Sequence, residues 1–259
     1  MKRIAIVQDI SCAGRCSTAL ALPVLSAMGA ECVLLPTQLL STHTGFAHPV
    51  RLDLSGFALD TLRHWKQQNL SLDAILFGYL GSFEALRVAN MAMELFPQAR
   101  VFLDPVMADH GKLYTGIDPA FPQAISSLLP MAEVVLPNLT EAQLLTGLDT
   151  DDPAVLVRAL ENMGCRQVLL TGISTRPGSI GFYCTGKGLY QAPTVERFSH
   201  GTGDLFAAVT AGAMLQGCAV FDAGVKAARF VAKALEATPE ITPYGVHFEK
   251  VLPCLEGEI

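Results

Sequence analysis

A chain of 259 residues with 51% hydrophobic and 16% charged side chains carries enough apolar material for a sizeable core, which excludes a disordered or fibrous protein. Its 18 basic and 24 acidic residues leave a formal charge of -6, so there is no general basic surface to neutralise a nucleic-acid backbone. A small phosphorylated ligand is compatible with that charge, because backbone N–H groups and helix termini bind anions without Lys or Arg.

From the N-terminus, MKRIAIVQDI loses its apolar character at Gln8 and Asp9 and shows no small-residue cleavage pattern, so no secretory signal is expected. Apolar, β-branched runs predict strands at Arg3 to Val7, Glu31 to Pro36, Ala74 to Phe77, Arg100 to Leu103, Glu133 to Leu136, Gln167 to Thr171, Ser179 to Cys184 and Leu189 to Ala192. Helices are predicted between most of the first six, at Ser17 to Met28, Leu54 to Gln68, Phe83 to Phe96, Pro119 to Leu129 and Asp152 to Met163. Two more follow the strands, at Gly203 to Gln216 and Asp222 to Ala237. This alternation predicts right-handed βαβ units and a mostly parallel sheet covered on both faces. The short turn Thr185 to Gly188 makes the last two strands an antiparallel edge hairpin.

There is no internal repeat, low-complexity tract or linker-like shift, so a single α/β domain over residues 1–259 is expected. The longest uncharged apolar stretch, Leu205 to Phe221, contains Gln216 and two glycines and reads as buried helix in a soluble protein, so no membrane partner is expected. Seven scattered cysteines fit a reducing cytoplasm. Cys12 and Cys16 have no second Cys/His pair at finger spacing, which favours small packing residues over a metal site.

In an open parallel sheet, ligands bind beyond the carboxyl ends of the strands, so polar residues there are the candidates. These are Asp9 and Ser11, Ser41 to Phe46, Tyr79, Asp104 to Met107, Asn138 with Glu141, Thr171 with Gly172, and His200 to Asp204. In HGTGDLFAA, Thr202 is placed to cap a helix whose first turn contains Gly203 and Asp204; two glycines let the backbone approach a ligand, and free N–H groups at the helix start face an anion. Asp204 in that first turn is either an ordinary capping acid or a base for an attacking hydroxyl. In DPVMADHGKLY, Asp104 ends a strand before Pro105; it is a turn acid or a holder of Mg²⁺ on nucleotide phosphates. In PNLTEAQLLTG, Asn138 or Thr140 opens a helix with Glu141 in its first turn, and both capping and placement of metal-bound water account for the pair. The STHTGF loop offers Phe46 for stacking and Ser41, His43 or Thr44 for hydrogen bonds to a flat heteroaromatic ring, or is a solvated loop.

In this order and spacing, QDISCAG, STHTGF, FGYLGS, DPVMAD, PNLTEAQLLTG, VLLTG and GTGDLFAA resemble the ribokinase-like superfamily, and within it the pyridoxal kinase branch. The resemblance spans Val7 to Ala208. It implies a three-layer αβα sandwich with a Rossmann-like central sheet and no separate lid domain. It also implies transfer of the γ-phosphate of ATP to the 5′-hydroxyl of vitamin B6 forms, with Mg²⁺, and a homodimer; a monovalent cation such as K⁺ is a further candidate. By the same resemblance Asp204 matches the catalytic base and Gly201, Thr202 and Gly203 the anion hole. Asp104, Asn138 and Glu141 match positions that organise Mg²⁺ and phosphate, with Asp104 and Glu141 as the metal candidates. Thr171, next to Gly172, matches a nucleotide-contacting hydroxyl, and Asp9, Ser11, Ser41, Thr44 and Tyr79 fall around the B6 ring.

Three features depart from the pattern. The chain is shorter between Asp9 and Ser17, Gly172 stands where several relatives have a hydroxyl, and His200 precedes the anion hole. The related hydroxymethylpyrimidine kinases share DPVM, but their GGAGIQAD-like N-terminal segment is absent, and Asp204 stands where they usually have cysteine. A non-catalytic nucleotide- or B6-binding protein of the same fold is the alternative from another class; it would have no need of Asp204.

Overall fold

Strand β1 (Arg3–Ser11) shows the logic of the architecture in its alternating side chains. Ile4 and Ile6 pack into one apolar layer while Ala5 and Val7 pack into the other, all four fully buried or nearly so. After it come α1 (Thr18–Ala27), β2 (Glu31–Leu40), β3 (Arg51–Asp53), α2 (Ser55–Gln67), β4 (Ala74–Phe77), α3 (Phe83–Leu95) and β5 (Arg100–Leu103). A two-residue hairpin, β6 (Ala108–Asp109) and β7 (Lys112–Leu113), precedes α4 (Phe121–Ile125) and β8 (Val134–Val135). The chain continues through α5 (Leu139–Thr146), α6 (Pro153–Asn162), β9 (Leu169–Ile173), β10 (Ser179–Cys184), β11 (Gly188–Pro193), α7 (Thr202–Leu215) and α8 (Val220–Ala237). The computed structural model describes residues 1–195, 197, 199–239 and 242–255.

The main sheet has the order β3-β2-β1-β4-β5-β8, and β9, β10 and β11 form a second sheet. Parallel bridges Val135 to Val168 and Asn138 to Thr171 join the two at β8 and β9. Every pairing from β2 across to β8 is parallel, and β9-β10-β11 is antiparallel, so the expected parallel sheet with an edge hairpin is observed. One layer holds α1, α7 and α8 against Ile4, Ile6, Leu76 and Phe102. The other holds α2, α3, α5 and α6 against Val7, Ile75, Phe77 and Leu103. Among the described residues no helix is long and apolar enough to cross a membrane.

Several boundaries differ from the expectation. β1 continues beyond Val7 to Ser11, carrying the polar Gln8 and Asp9 inside the fold, and β2 continues past Pro36 to Leu40. β3 was not anticipated: Arg51, Leu52 and Asp53 are all exposed, so no apolar alternation marks them, and the strand pairs antiparallel to β2. The β6–β7 hairpin inside DPVMADHGKLY is likewise new, and α8 starts at Val220 rather than Asp222.

β1 is the point where the order reverses, since β2 lies on one side and β4 on the other. A crevice therefore opens at its carboxyl end, where the last residues of β1, Asp9 to Ser11, meet the loop after β4 and the loop after β5.

Candidate active site

The residue before α7, Gly201, is the N-cap, at φ 84° and ψ 2°, and no side chain caps the helix. This corrects the expectation for Thr202, which is the first residue of the helix itself. The first intrahelical bond runs from Leu205 N–H to the Gly201 carbonyl, so the N–H groups of Thr202, Gly203 and Asp204 have no partner within the helix. Gly201 is required by the protein: a Cβ there would lie 2.1 Å from the Arg15 carbonyl oxygen. Gly203 is not, because a Cβ would meet nothing within 4 Å. Among the described residues these three N–H groups have no hydrogen-bond partner, and they lie at the positive pole of the helix dipole.

Asp204 keeps some exposed surface but sits deep in the crevice. Its Oδ2 accepts the N–H of Ser17 at 3.0 Å. Burial pushes its carboxyl up to about 7, against the pull of that N–H and with help from the charge of Asp9. Asp9, 1% exposed, is itself pushed by burial up to about 6, while the hydroxyls of Ser17 and Ser11 and the more distant Arg51 hold it back. Ser11 donates to Asp9 Oδ2 at 3.1 Å.

Asp104 is buried just past β5, and burial together with the charges of Glu141 and Asp204 raises its carboxyl well above the usual range. Glu141 is buried at the start of α5, where Asn138 is the N-cap and a full capping box forms. Asn138, not Thr140, is therefore the cap; the Thr140 hydroxyl instead accepts Gly111 N–H at 2.9 Å. Glu141 Oε1 accepts Met107 N–H at 3.0 Å and Oε2 accepts Asn138 N–H at 2.9 Å, while Asn138 Nδ2 donates to the Ala108 carbonyl at 2.8 Å. Burial still lifts Glu141 to about 8 against these N–H donors. Capping and site-building are thus the same bonds, which stitch the DPVMAD loop to α5.

Asp9, Asp104, Glu141 and Asp204 therefore form one acidic cleft, linked by mutual repulsion in a poorly solvated space. Tyr114 faces it too; burial and the surrounding carboxylates, Glu141 foremost, raise its phenol above the usual range. Among the described residues no group of three or more His, Cys, Asp or Glu is arranged to hold a metal by itself. A carboxylate pair without a full protein cage suits Mg²⁺ that arrives on phosphates and keeps waters, so the residues fit that ion. Cys16 is buried beside Asp204 and Asp9; burial drives its thiol far above the normal range, in keeping with a packing role.

The remaining candidates divide. The Tyr79 hydroxyl accepts from Arg51 Nη1 at 3.3 Å, and Arg51 Nη2 reaches the Thr115 carbonyl at 3.4 Å. The Ser41 hydroxyl instead accepts Val50 N–H at 2.9 Å and closes the β2–β3 connection. The Thr171 hydroxyl points to the Pro137 carbonyl at 3.3 Å, and Gly172, at φ 74°, is exposed beside it. Thr44 is partly exposed on its loop. His43 is buried: its Nδ1 accepts Gly45 N–H at 3.1 Å, so its Nε2 carries the proton donated to the Pro243 carbonyl at 2.7 Å. Its ring lies 4.7 Å from that of His200 and 4.8 Å from that of Phe46, and Phe46 lies 5.5 Å from Tyr244.

That cluster brings in a segment that motif reading left unassigned. Arg15 N–H donates to the Tyr244 carbonyl at 2.7 Å and Val246 N–H to the His200 carbonyl at 2.9 Å. Segment 243–246 thus ties together the loop after β1, the STHTGF loop and the loop before α7. Ser17, Arg51 and Tyr114 were also missed, because each contact spans distant parts of the chain.

Acids gathered at strand ends and in the first turns of α5 and α7, on a mostly parallel sheet covered by helices on both faces, belong to an α/β phosphotransferase of the ribokinase-like kind. The chain belongs to the phosphomethylpyrimidine kinase family, whose profile matches residues 57–248. It is 32% identical over 246 residues to a pyridoxine/pyridoxal/pyridoxamine kinase of Bordetella avium, covering 87% of this chain and 81% of that one. Pyridoxal kinase from Lactobacillus plantarum superposes with a TM-score of 0.91 at 31% identity, over 98% of this chain and 96% of that one. A structure from Bacteroides thetaiotaomicron assigned as a phosphomethylpyrimidine kinase and determined with pyridoxal gives 0.90 at 32% identity, over 100% and 96%.

Proposed function

We propose that this protein is an ATP-dependent pyridoxal kinase, which converts pyridoxal, pyridoxamine or pyridoxine into its 5′-phosphate. The observation that carries this is Asp204, a carboxylate with raised proton affinity beside three N–H groups that have no partner among the described residues. A base whose proton affinity is matched to neutral pH takes the proton of the 5′-hydroxyl as its oxygen attacks the γ-phosphorus; the bond to the β-phosphate oxygen breaks and ADP leaves. The N–H groups of Thr202, Gly203 and Asp204 stabilise charge on the phosphoryl oxygens. Asp104 and Glu141 would hold hydrated Mg²⁺, which neutralises phosphate charge when bound. Asp9, Ser11 and Tyr79 form the wall for the vitamin ring, with Thr44 at its edge, and Gly172 leaves room for nucleotide beside Thr171. A homodimer in the cytoplasm belongs to the same reading.

The name of the matched family favours one rival, hydroxymethylpyrimidine as acceptor. Against it stands Asp204 in place of the cysteine usual in those kinases. Specificity constants for pyridoxal and hydroxymethylpyrimidine, measured in one Mg²⁺-ATP assay, decide between them. Preference for pyridoxal supports this reading; preference for the pyrimidine refutes it, and turnover of neither substrate favours a binding protein.

A further inference from the structure

Arg51 lies on β3, an exposed edge strand of three residues, outside every motif read from the sequence. A charge at a sheet edge ordinarily deters pairing with another chain, a task that Lys performs as well as Arg. The register gives Arg51 a second place. It pairs with Leu40 on β2, and Leu40 pairs with Ser11 on β1, so one row across the sheet runs from the carboxyl end of β1 out to Arg51. From the other side the loop after β4 leans back over β1, since Gln38 Nε2 on β2 donates to the Leu80 carbonyl at 3.0 Å in a buried bond. The Arg51 guanidinium makes a second crossing, from Nη1 to the Tyr79 hydroxyl, and its Nη2 reaches a third segment at Thr115. Its charge also draws the Asp9 carboxyl down, in keeping with a guanidinium that faces the end of β1. Tyr79 is 4% exposed and packs against Gly81, at φ 69°, where a Cβ would come within 2.6 Å of the ring and 2.7 Å of the hydroxyl. With its oxygen accepting from Arg51, that hydroxyl has its own proton to give, and no acceptor for it is found among the described residues.

We propose that Arg51 is a positioning residue of the acceptor subsite, which holds the Tyr79 oxygen as an acceptor and so presents the Tyr79 O–H as a donor to an acceptor atom on the vitamin ring. The proposal rests on the reading of the protein as a pyridoxal kinase with Tyr79 in the wall of the vitamin site. The planar fork of arginine serves Tyr79 and Thr115 at once, which a lysine ammonium does not reproduce.

The test measures KM for pyridoxal, KM for ATP, kcat and thermal melting with Mg²⁺ present, for the wild type, Arg51→Lys, Arg51→Met, Tyr79→Phe and the double variant Arg51→Met/Tyr79→Phe. Arg51→Met and Tyr79→Phe are each expected to raise KM for pyridoxal by about tenfold, while KM for ATP and the melting temperature stay close to those of the wild type. Arg51→Lys is expected to behave like Arg51→Met. The double variant is expected to be no worse than the poorer single variant, because the two residues act through one hydrogen bond. A wild-type pyridoxal KM in Arg51→Met overturns the proposal. So does full rescue by Arg51→Lys, which marks an edge charge, or a double loss equal to the product of the single losses. A lowered melting temperature with both KM values moving together marks a structural arginine and overturns it too. If the wild type phosphorylates pyridoxal and the Arg51 variants match it, only the role of Arg51 falls; a wild type without pyridoxal turnover removes the underlying reading as well.

Discussion

The Arg15 carbonyl occupies the place where a side chain on Gly201 would begin, 2.1 Å from the position of a Cβ. Gly203, two residues on, meets nothing. The first glycine is demanded by the fold and the second is not; on the proposed function Gly203 leaves room for the phosphate. Gly201→Ala is expected to destabilise the protein by about 1–3 kcal/mol and to lose roughly 10²-fold in kcat, since the proposed anion hole shifts with its cap. Gly203→Ala is expected to leave the melting temperature unchanged or raised, because alanine is the better helix residue, while kcat falls at least about tenfold. Equal activity in Gly203→Ala and wild type, measured with the same ATP, removes the phosphate from that end of α7.

Asp104 and Glu141 separate in the same manner. Glu141 accepts N–H groups from two segments, so Glu141→Gln turns an amide donor toward one of them and is expected to cost about 1–3 kcal/mol of stability as well as activity. No backbone donor to the Asp104 side chain is found among the described residues, and the group is buried among like charges. Asp104→Asn is therefore expected to fold at least as stably at neutral pH and to lose on the order of 10²-fold in Mg²⁺-dependent turnover. Chemical denaturation and a Mg²⁺ titration of the rate check the pair.

Protons should stabilise the ligand-free protein. Folding raises the carboxyls of Asp9 to about 6, Asp204 to about 7 and Glu141 to about 8, all above their unfolded values near 4. The folded state then binds more protons than the unfolded state between about pH 4 and 8, and their stabilisation, complete below that window, is lost as pH rises through it. The melting temperature is expected to fall from pH 5 to pH 8, and added Mg²⁺ to restore more of it at pH 8 than at pH 6. A melting temperature that rises over this range contradicts the cleft electrostatics.

Much of this was legible in the residues themselves. β4, β5 and β10 are short apolar runs between turns, and their limits match expectation. Asp104, Asn138 and Asp204 were identifiable because they directly follow or open such elements. β3 was hidden because all three of its residues are exposed, and the extension of β1 because Gln8 and Asp9 are polar yet buried. The contacts of Ser17 with Asp204, Arg51 with Tyr79 and His43 with Pro243 join residues far apart in the chain. No local period or spacing encodes such pairs; they exist only once the sheet has assembled.

The tail supplies a prediction of that kind. Gly245 lies at φ 90°, and a Cβ would come within 2.8 Å of the Arg15 carbonyl and 3.1 Å of the His200 carbonyl. Gly245→Ala is expected to cost about 1–3 kcal/mol and to lower kcat at temperatures where the variant is still fully folded. Circular dichroism alongside the assay separates the two effects; a destabilised variant with wild-type kcat shows that segment 243–246 supports the fold alone.

The most direct test of the central claim is rapid-quench measurement of phosphoryl transfer from ATP to pyridoxal by Asp204→Asn, with ATP affinity measured on the same sample. The predicted result is ATP binding close to that of the wild type and a transfer rate lowered by about 10²–10⁴-fold. A transfer rate equal to that of the wild type contradicts the assignment of Asp204 as the group that takes the proton.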